Sequence, residues 1–69
     1  MNIEQIRQRL ANGFKPFTLC LSDGRKLAVA HPAFVAVGRR VVVVIEQDDR
    51  VNTVDPIHIV SIEEKSAGG

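Results

Sequence analysis

Phe17-Thr18-Leu19-Cys20-Leu21-Ser22-Asp23-Gly24-Arg25-Lys26-Leu27-Ala28-Val29 is the stretch that decides the fold. Apolar and polar residues alternate from Phe17 to Ser22, the period of a strand with one buried face. Asp23-Gly24 is a hairpin signal. The loop length sets the register. A two-residue loop would place Cys20 against Leu27 and Thr18 against Val29, polar opposite apolar. A three-residue loop, Ser22-Asp23-Gly24 with Gly24 left-handed, places Leu19 against Leu27 and Phe17 against Val29. It gathers Phe17, Leu19, Leu21, Leu27 and Val29 on one face. A one-residue slip would turn every side chain of a strand over, so the three-residue loop is predicted.

Before this hairpin, residues 2–12 read as a helix. Asn2 is the N-cap and Gln5 stands three residues on, as in a capping box. Ile3, Ile6 and Leu10 form one stripe, Glu4 lies in the first turn, and Arg7 and Arg9 follow toward the end. Gly13 is the C-cap and Pro16 prevents continuation. About three turns cannot stand alone in water, so the stripe must dock on the rest of the chain.

After the hairpin, His31-Pro32 predicts a sharp bend within a second strand running from Arg25 to Val37. Gly38-Arg39 makes a turn, and Arg40 to Glu46 is the most β-prone segment. Its run Val41 to Ile45 is apolar on both faces, which places it in a sheet centre or under cover on both sides. Gln47-Asp48-Asp49 is a polar turn, Val51 to Val54 a short strand, and Asp55-Pro56 a break. In Ile57 to Ile62 the alternation changes phase at Ile59-Val60, which predicts a helical turn or bulge. No internal repeat or linker is visible. Ser66 to Gly69 reads as a frayed tail. The sum is one domain over residues 1–65, mainly β with one N-terminal helix, forming a small five-stranded, strongly bent antiparallel sheet or barrel, Sm-like or SH3-like.

Composition narrows the function. The chain has 69 residues, enough for one domain with a small core. Nine basic against eight acidic residues give a formal charge of +1, which excludes a strongly basic nucleic-acid wrapper and leaves a local basic patch open. One cysteine excludes a disulfide framework and a cysteine-rich zinc site. No apolar run nears the ~20 residues of a membrane span and no signal peptide is read, so the cytoplasm is the expected compartment.

The order of helix, hairpin, bent second strand and two short closing strands is similar to the Sm/LSm fold, above all to bacterial Sm-type RNA chaperones. The likeness covers roughly residues 2–63 and rests on pattern. Pro16-Phe17-Thr18-Leu19-Cys20-Leu21-Ser22-Asp23-Gly24-Arg25 and His31-Pro32-Ala33-Phe34 also resemble two runs shared by a family of short bacterial proteins, a likeness that implies no activity. The Sm resemblance implies a ring of copies and RNA as ligand. Asp55-Pro56 stands where the bacterial chaperones carry a Lys-His pair, and the aromatic-Lys-His run is missing. Arg39 and Arg40, before the third strand, and Arg7 and Arg9, on the helix, are what remains of a basic rim.

Other chemistry finds little footing. Cys20 needs a base within hydrogen-bond reach. The register places Lys26 opposite Cys20 and leaves His31 about 16 Å away at strand rise. His31, His58, Asp55 and Asp48-Asp49 lack metal-ligand spacing, and the aspartates suit a turn that bonds its own backbone. No enzyme activity and no cofactor are expected. The leading reading is a non-catalytic small barrel that associates with further copies and binds RNA through Arg7, Arg9, Arg39 and Arg40. That reading requires the four arginines to converge, and Glu4, Asp55 or Glu63 among them would weaken it. The alternative is a protein-interaction module whose exposed sheet edge, beside Val51 to Val54, accepts a partner's extended peptide.

Overall fold

A computed structural model describes residues 3–11 and 13–64. Helix α1 spans Ile3–Ala11. The expected N-cap Asn2 and the tail beyond Glu64 lie outside the described residues. Six strands follow: β1 (Phe17–Leu21), β2 (Lys26–Val29), β3 (Val35–Val37), β4 (Val42–Ile45), β5 (Val51–Val54) and β6 (Ile59–Glu64). Short 3-10 turns, Pro32–Phe34 and Pro56–His58, lead into β3 and β6. The β1–β2 hairpin has the expected register, with Leu19 opposite Leu27, Phe17 opposite Val29, and Gly24 at φ +91°.

The five-stranded bent sheet or barrel does not form. The six strands make two separate three-stranded antiparallel sheets, ordered β2-β1-β6 and β3-β4-β5, and no barrel closes. The reason lies at His31-Pro32. The stretch expected as one bent strand would have to carry its ladder through Pro32, which has no N–H. Local bonds take over there. The Ala33 N–H donates to His31 Nδ1 at 3.1 Å, and the Phe34 N–H donates to the His31 carbonyl at 3.0 Å. The chain therefore leaves the first sheet as β2 and enters the second as β3.

One apolar cluster joins the two sheets and the helix. Leu19, Leu27 and Val29 come from the first sheet, Val42, Val44 and Val54 from the second, and Ile6 from α1. The apolar run at the third predicted strand takes the central place in its sheet, with Val42 and Val44 fully buried and Val43 and Ile45 half-buried. Fully burying Ile6 contributes roughly 2 kcal/mol, which is what docks so short a helix. Two arginines fix its position. Arg7 donates to the Gly38 carbonyl at 3.0 Å, just past β3, and Arg9 pairs with Glu64 at the end of β6. The helix thus ties one strand end of each sheet.

The two hairpins repeat each other in their backbone bonds. In the first hairpin the Leu21 N–H donates to the Arg25 carbonyl and the Gly24 N–H to the Leu21 carbonyl. In the second, the Glu46 N–H donates to the Arg50 carbonyl and the Asp49 N–H to the Glu46 carbonyl. Asp49 takes the left-handed conformation of Gly24, at φ +66°. Asp23 Oδ1 accepts the Arg25 N–H, and Asp48 Oδ1 accepts the Arg50 N–H. After each hairpin a residue before proline caps a 3-10 turn: His31 accepts from Ala33, and Asp55 accepts from Ile57 at 3.1 Å. Exchanging β1, β2, β3 for β4, β5, β6 converts one sheet order into the other. Each half thus lends its third strand to the other half's hairpin.

The halves differ at that third strand. β6 has six residues and β3 has three. β6 pairs with β1 as far as Leu21–Ile59, stepping over Val60 in a bulge, which is the phase change expected at Ile59-Val60. The ladder then continues through the Ser22 N–H to the His58 carbonyl, 2.7 Å. β3 pairs with β4 only from Val37–Val42 to Val35–Val44, so among the described residues no strand pairs with Ile45 on that side.

Candidate functional site

Each hairpin loop forms a cleft with the 3-10 turn that follows the other hairpin. The first loop and Pro56–His58 enclose about 330 Å³ lined by Ser22, Asp23, Arg25, Thr53, Asp55 and His58. This cleft lies beside β5, with Leu21 and Val54 lining it as well. Ser22 Oγ lies 3.5 Å from His58 Nδ1, at the outer limit of a hydrogen bond. The Asp55 carboxylate accepts the Ile57 N–H and so serves as a cap. A serine–histidine–aspartate relay needs the carboxylate on one ring nitrogen and the hydroxyl on the other. Among the described residues, no hydrogen bond joins the Asp55 carboxylate to the His58 ring. Arg25 Nε donates to Asp23 Oδ2 at 2.8 Å. The Arg25 backbone N–H first, and its guanidinium second, hold the Asp23 carboxyl below its ordinary range.

The second loop and Pro32–Phe34 enclose about 310 Å³ with an apolar floor of Ala28, Ala30, Phe34 and Ile45. Phe34 is 40% exposed, and the His31 ring lies against it with centroids 5.7 Å apart. The rim is acidic. Glu46 accepts from the Asn52 amide at 3.1 Å, and Asp48 pairs with Arg50 at 3.4 Å. Glu46, Asp48 and Asp49 face a single cation in this loop, Arg50. The twin cleft explains why this one is open. There the loop is bonded directly to the 3-10 turn; here, among the described residues, no backbone bond joins Gln47 to Phe34. Two residues, Ala30 and His31, separate β2 from Pro32, whereas Asp55 alone separates β5 from Pro56. The extra residue and the short β3 leave a gap at the end of β4, with Phe34 beside it.

The four arginines singled out in the sequence part company. Arg9 sits with Glu64, in a depression shared with Gln5, Gln8 and Lys15. Arg7 is held by Glu4 at 2.8 Å and by the Gly38 carbonyl. Arg39 and Arg40 form the tip of the β3–β4 hairpin, where the Gly38 N–H donates to the Val41 carbonyl at 2.8 Å. A side chain at position 38 would come within 2.9 Å of Val41 Cγ1, which would have to shift to admit it. Arg39 and Arg40 line a cleft of about 380 Å³ with Ile3, Asp55, Pro56 and Ile57, the last 74% exposed. Arg7, Arg39 and Arg40 therefore share one end of the molecule, with Glu4 and Asp55 among them. Arg7, Arg9, Arg25, Lys26 and Arg50 each pair with a carboxylate. Among the described residues, Arg39 and Arg40 are the adjacent cations without one.

Sequence reading passed over Phe34, Ile45 and Ile57 as surface features. The usable signal was the doubled spacing: Asp23-Gly24-Arg25 recurs as Asp48-Asp49-Arg50, and His31-Pro32 as Asp55-Pro56. Among the described residues, no three of His, Cys, Asp and Glu stand close enough to hold an ion. Cys20 is buried opposite Lys26. No described helix is long and apolar enough to cross a membrane. Comparison with known proteins finds no matching family model, no matching curated protein and no matching solved structure.

Proposed function

We propose that the chain is a non-catalytic protein-interaction module, and that its site is the open cleft between Phe34 and the end of β4. The carrying observation is the unequal third strand. β6 accompanies β1 to the loop, whereas β3 leaves β4 at Val44, beside a half-exposed phenylalanine. An unpaired strand end next to an apolar floor fits a short segment of a partner that adds backbone bonds and seats one apolar side chain. Glu46 and the Asp48-Asp49 loop favour a segment with cations next to that side chain. This moves the interaction edge away from Val51 to Val54. RNA has less to hold: two unpaired guanidiniums, with Phe14 half-buried, Phe17 buried, and Phe34 at the other end of β4.

The test is a titration of the labelled chain with two acetylated peptides, Arg-Arg-Val-Val and Glu-Glu-Val-Val, followed by amide and aromatic NMR shifts. The basic peptide is expected to move Phe34, Ile45 and Gln47 and to lose that effect in Phe34→Ala. Shifts absent at millimolar peptide, or equal for both peptides, overturn the reading. A single-stranded RNA oligomer that shifts Arg39 and Arg40, with no peptide effect, would replace it.

A further inference from the structure

We infer that the cleft's occupant is a second copy of this chain, which presents its Arg39–Arg40 hairpin tip. The inference rests on the reading of the Phe34 cleft as an interaction site and names its partner. Two surfaces of the chain are complementary. The tip carries two guanidiniums with no carboxylate on them, next to Val41, which is 37% exposed. The cleft carries Phe34 and Ile45 beside Glu46, Asp48 and Arg50, in a loop where Asp49 makes three carboxylates to one guanidinium. Val41 on the apolar floor would bring Arg39 and Arg40 to that acidic rim.

One molecule cannot make this contact with itself. The tip precedes Val42 and the acidic loop follows Ile45, so tip and cleft lie at opposite ends of β4. They are roughly 13 Å apart along a rigid strand in the centre of its sheet. Helix α1 holds the tip end in place, since Arg7 bonds the carbonyl of Gly38. Two different surfaces at opposite ends make a head-to-tail contact, which propagates into a ring or filament instead of stopping at a symmetric pair. The twin cleft offers no free strand end, because the Ser22 N–H already donates to the His58 carbonyl. A domain this small buries little of its own surface, and further copies are a common way to bury more.

The experiment is light scattering of the full chain across concentration at low and high salt. The wild type is expected to exceed its monomer mass of 7.6 kDa at low salt and to fall toward it at high salt. Two variants each destroy one surface: Arg39→Glu with Arg40→Glu at the tip, and Phe34→Ala in the cleft. Each alone is expected to be a monomer with unchanged circular dichroism. Mixed in equal amounts they keep one good tip and one good cleft, so a species of twice the monomer mass, and no larger, is expected. Glu46→Arg added to the tip variant restores charge complementarity and is expected to recover association. A wild-type monomer at millimolar concentration, or association untouched by the tip reversal, overturns the inference. If that monomer still binds the basic peptide at Phe34, the interaction reading stands and only the second copy is lost. If neither occurs, both fall.

Discussion

The hairpins β1–β2 and β4–β5 are built on one plan, and the strand ends beside their loops differ. Both loops have three residues, an aspartate that caps the following arginine, and a left-handed third position. Both hairpins run into a proline-led 3-10 turn. Yet at Ser22 the strand end is bonded to the 3-10 turn, and at Phe34 it is free, beside an exposed aromatic ring. Turn chemistry is the same in both, so it cannot be the cause. One extra residue before Pro32 and three fewer in β3 than in β6 make the difference. Turns hold the scaffold constant while strand length decides which surface is exposed.

The largest test of this comparison is in the core. Leu19 and Val44 occupy equivalent central positions, both fully buried. Leu19→Ala is expected to cost about 3 kcal/mol. Val44→Ala, which removes less volume, is expected to cost about 2 kcal/mol. Urea denaturation measures both, and a near-neutral Val44→Ala would mean that the second sheet is not an equal partner in the core. Next come the caps. Asp55→Ala is expected to lower stability by about 1 kcal/mol. His31→Ala should cost at least as much, because it also removes the ring against Phe34. Thermal melts of the two variants would separate the twins if only one cap mattered.

A smaller effect tests the loops directly. Gly24→Asp should cost about 1 kcal/mol, and Asp49→Gly should add about 0.5 kcal/mol, since only one of the two wild-type loops has glycine at the left-handed position. Unchanged melting in both variants would deny that the loops are equivalent. The smallest effect is ionic. The Asp23 carboxyl is depressed when folded, so its contribution is complete above the unfolded value near about 4 and is lost as pH falls through the lower folded value. Carbon-13 titration should find Asp23 below the ordinary carboxylate range. Arg25→Ala should raise it only part of the way, because the backbone N–H at position 25 remains.

Much of this was legible in the residues. The β1–β2 register followed from the loop length and from the apolar set Phe17, Leu19, Leu21, Leu27 and Val29, because pairing out of phase would have buried polar side chains. The central place of Val42 to Ile45 and the irregularity at Ile59-Val60 followed from the same period-two argument. The repeat was legible only in Asp23 and Arg25 recurring as Asp48 and Arg50; the rest resides in backbone bonds that different side chains support, since Gly24 and Asp49 share a conformation and His31 and Asp55 share a capping role. The separation of Arg9 from the other three arginines was equally hidden. Arg9 went to Glu64, far along the chain, and Arg7 to a carbonyl at Gly38.

Local chemistry, then, is what the sequence by itself determined: where each strand turns, which face it buries, and which prolines interrupt it. These depend on neighbours within a few residues, whose sterics and hydrogen bonds are written in the chain. Only the tertiary structure decided that the interruption at Pro32 divides two sheets, that each half completes the other's sheet, and that β3 stops short beside Phe34. Those outcomes depend on how long a strand runs against a partner distant in sequence, and that length is set by the packing of the whole core.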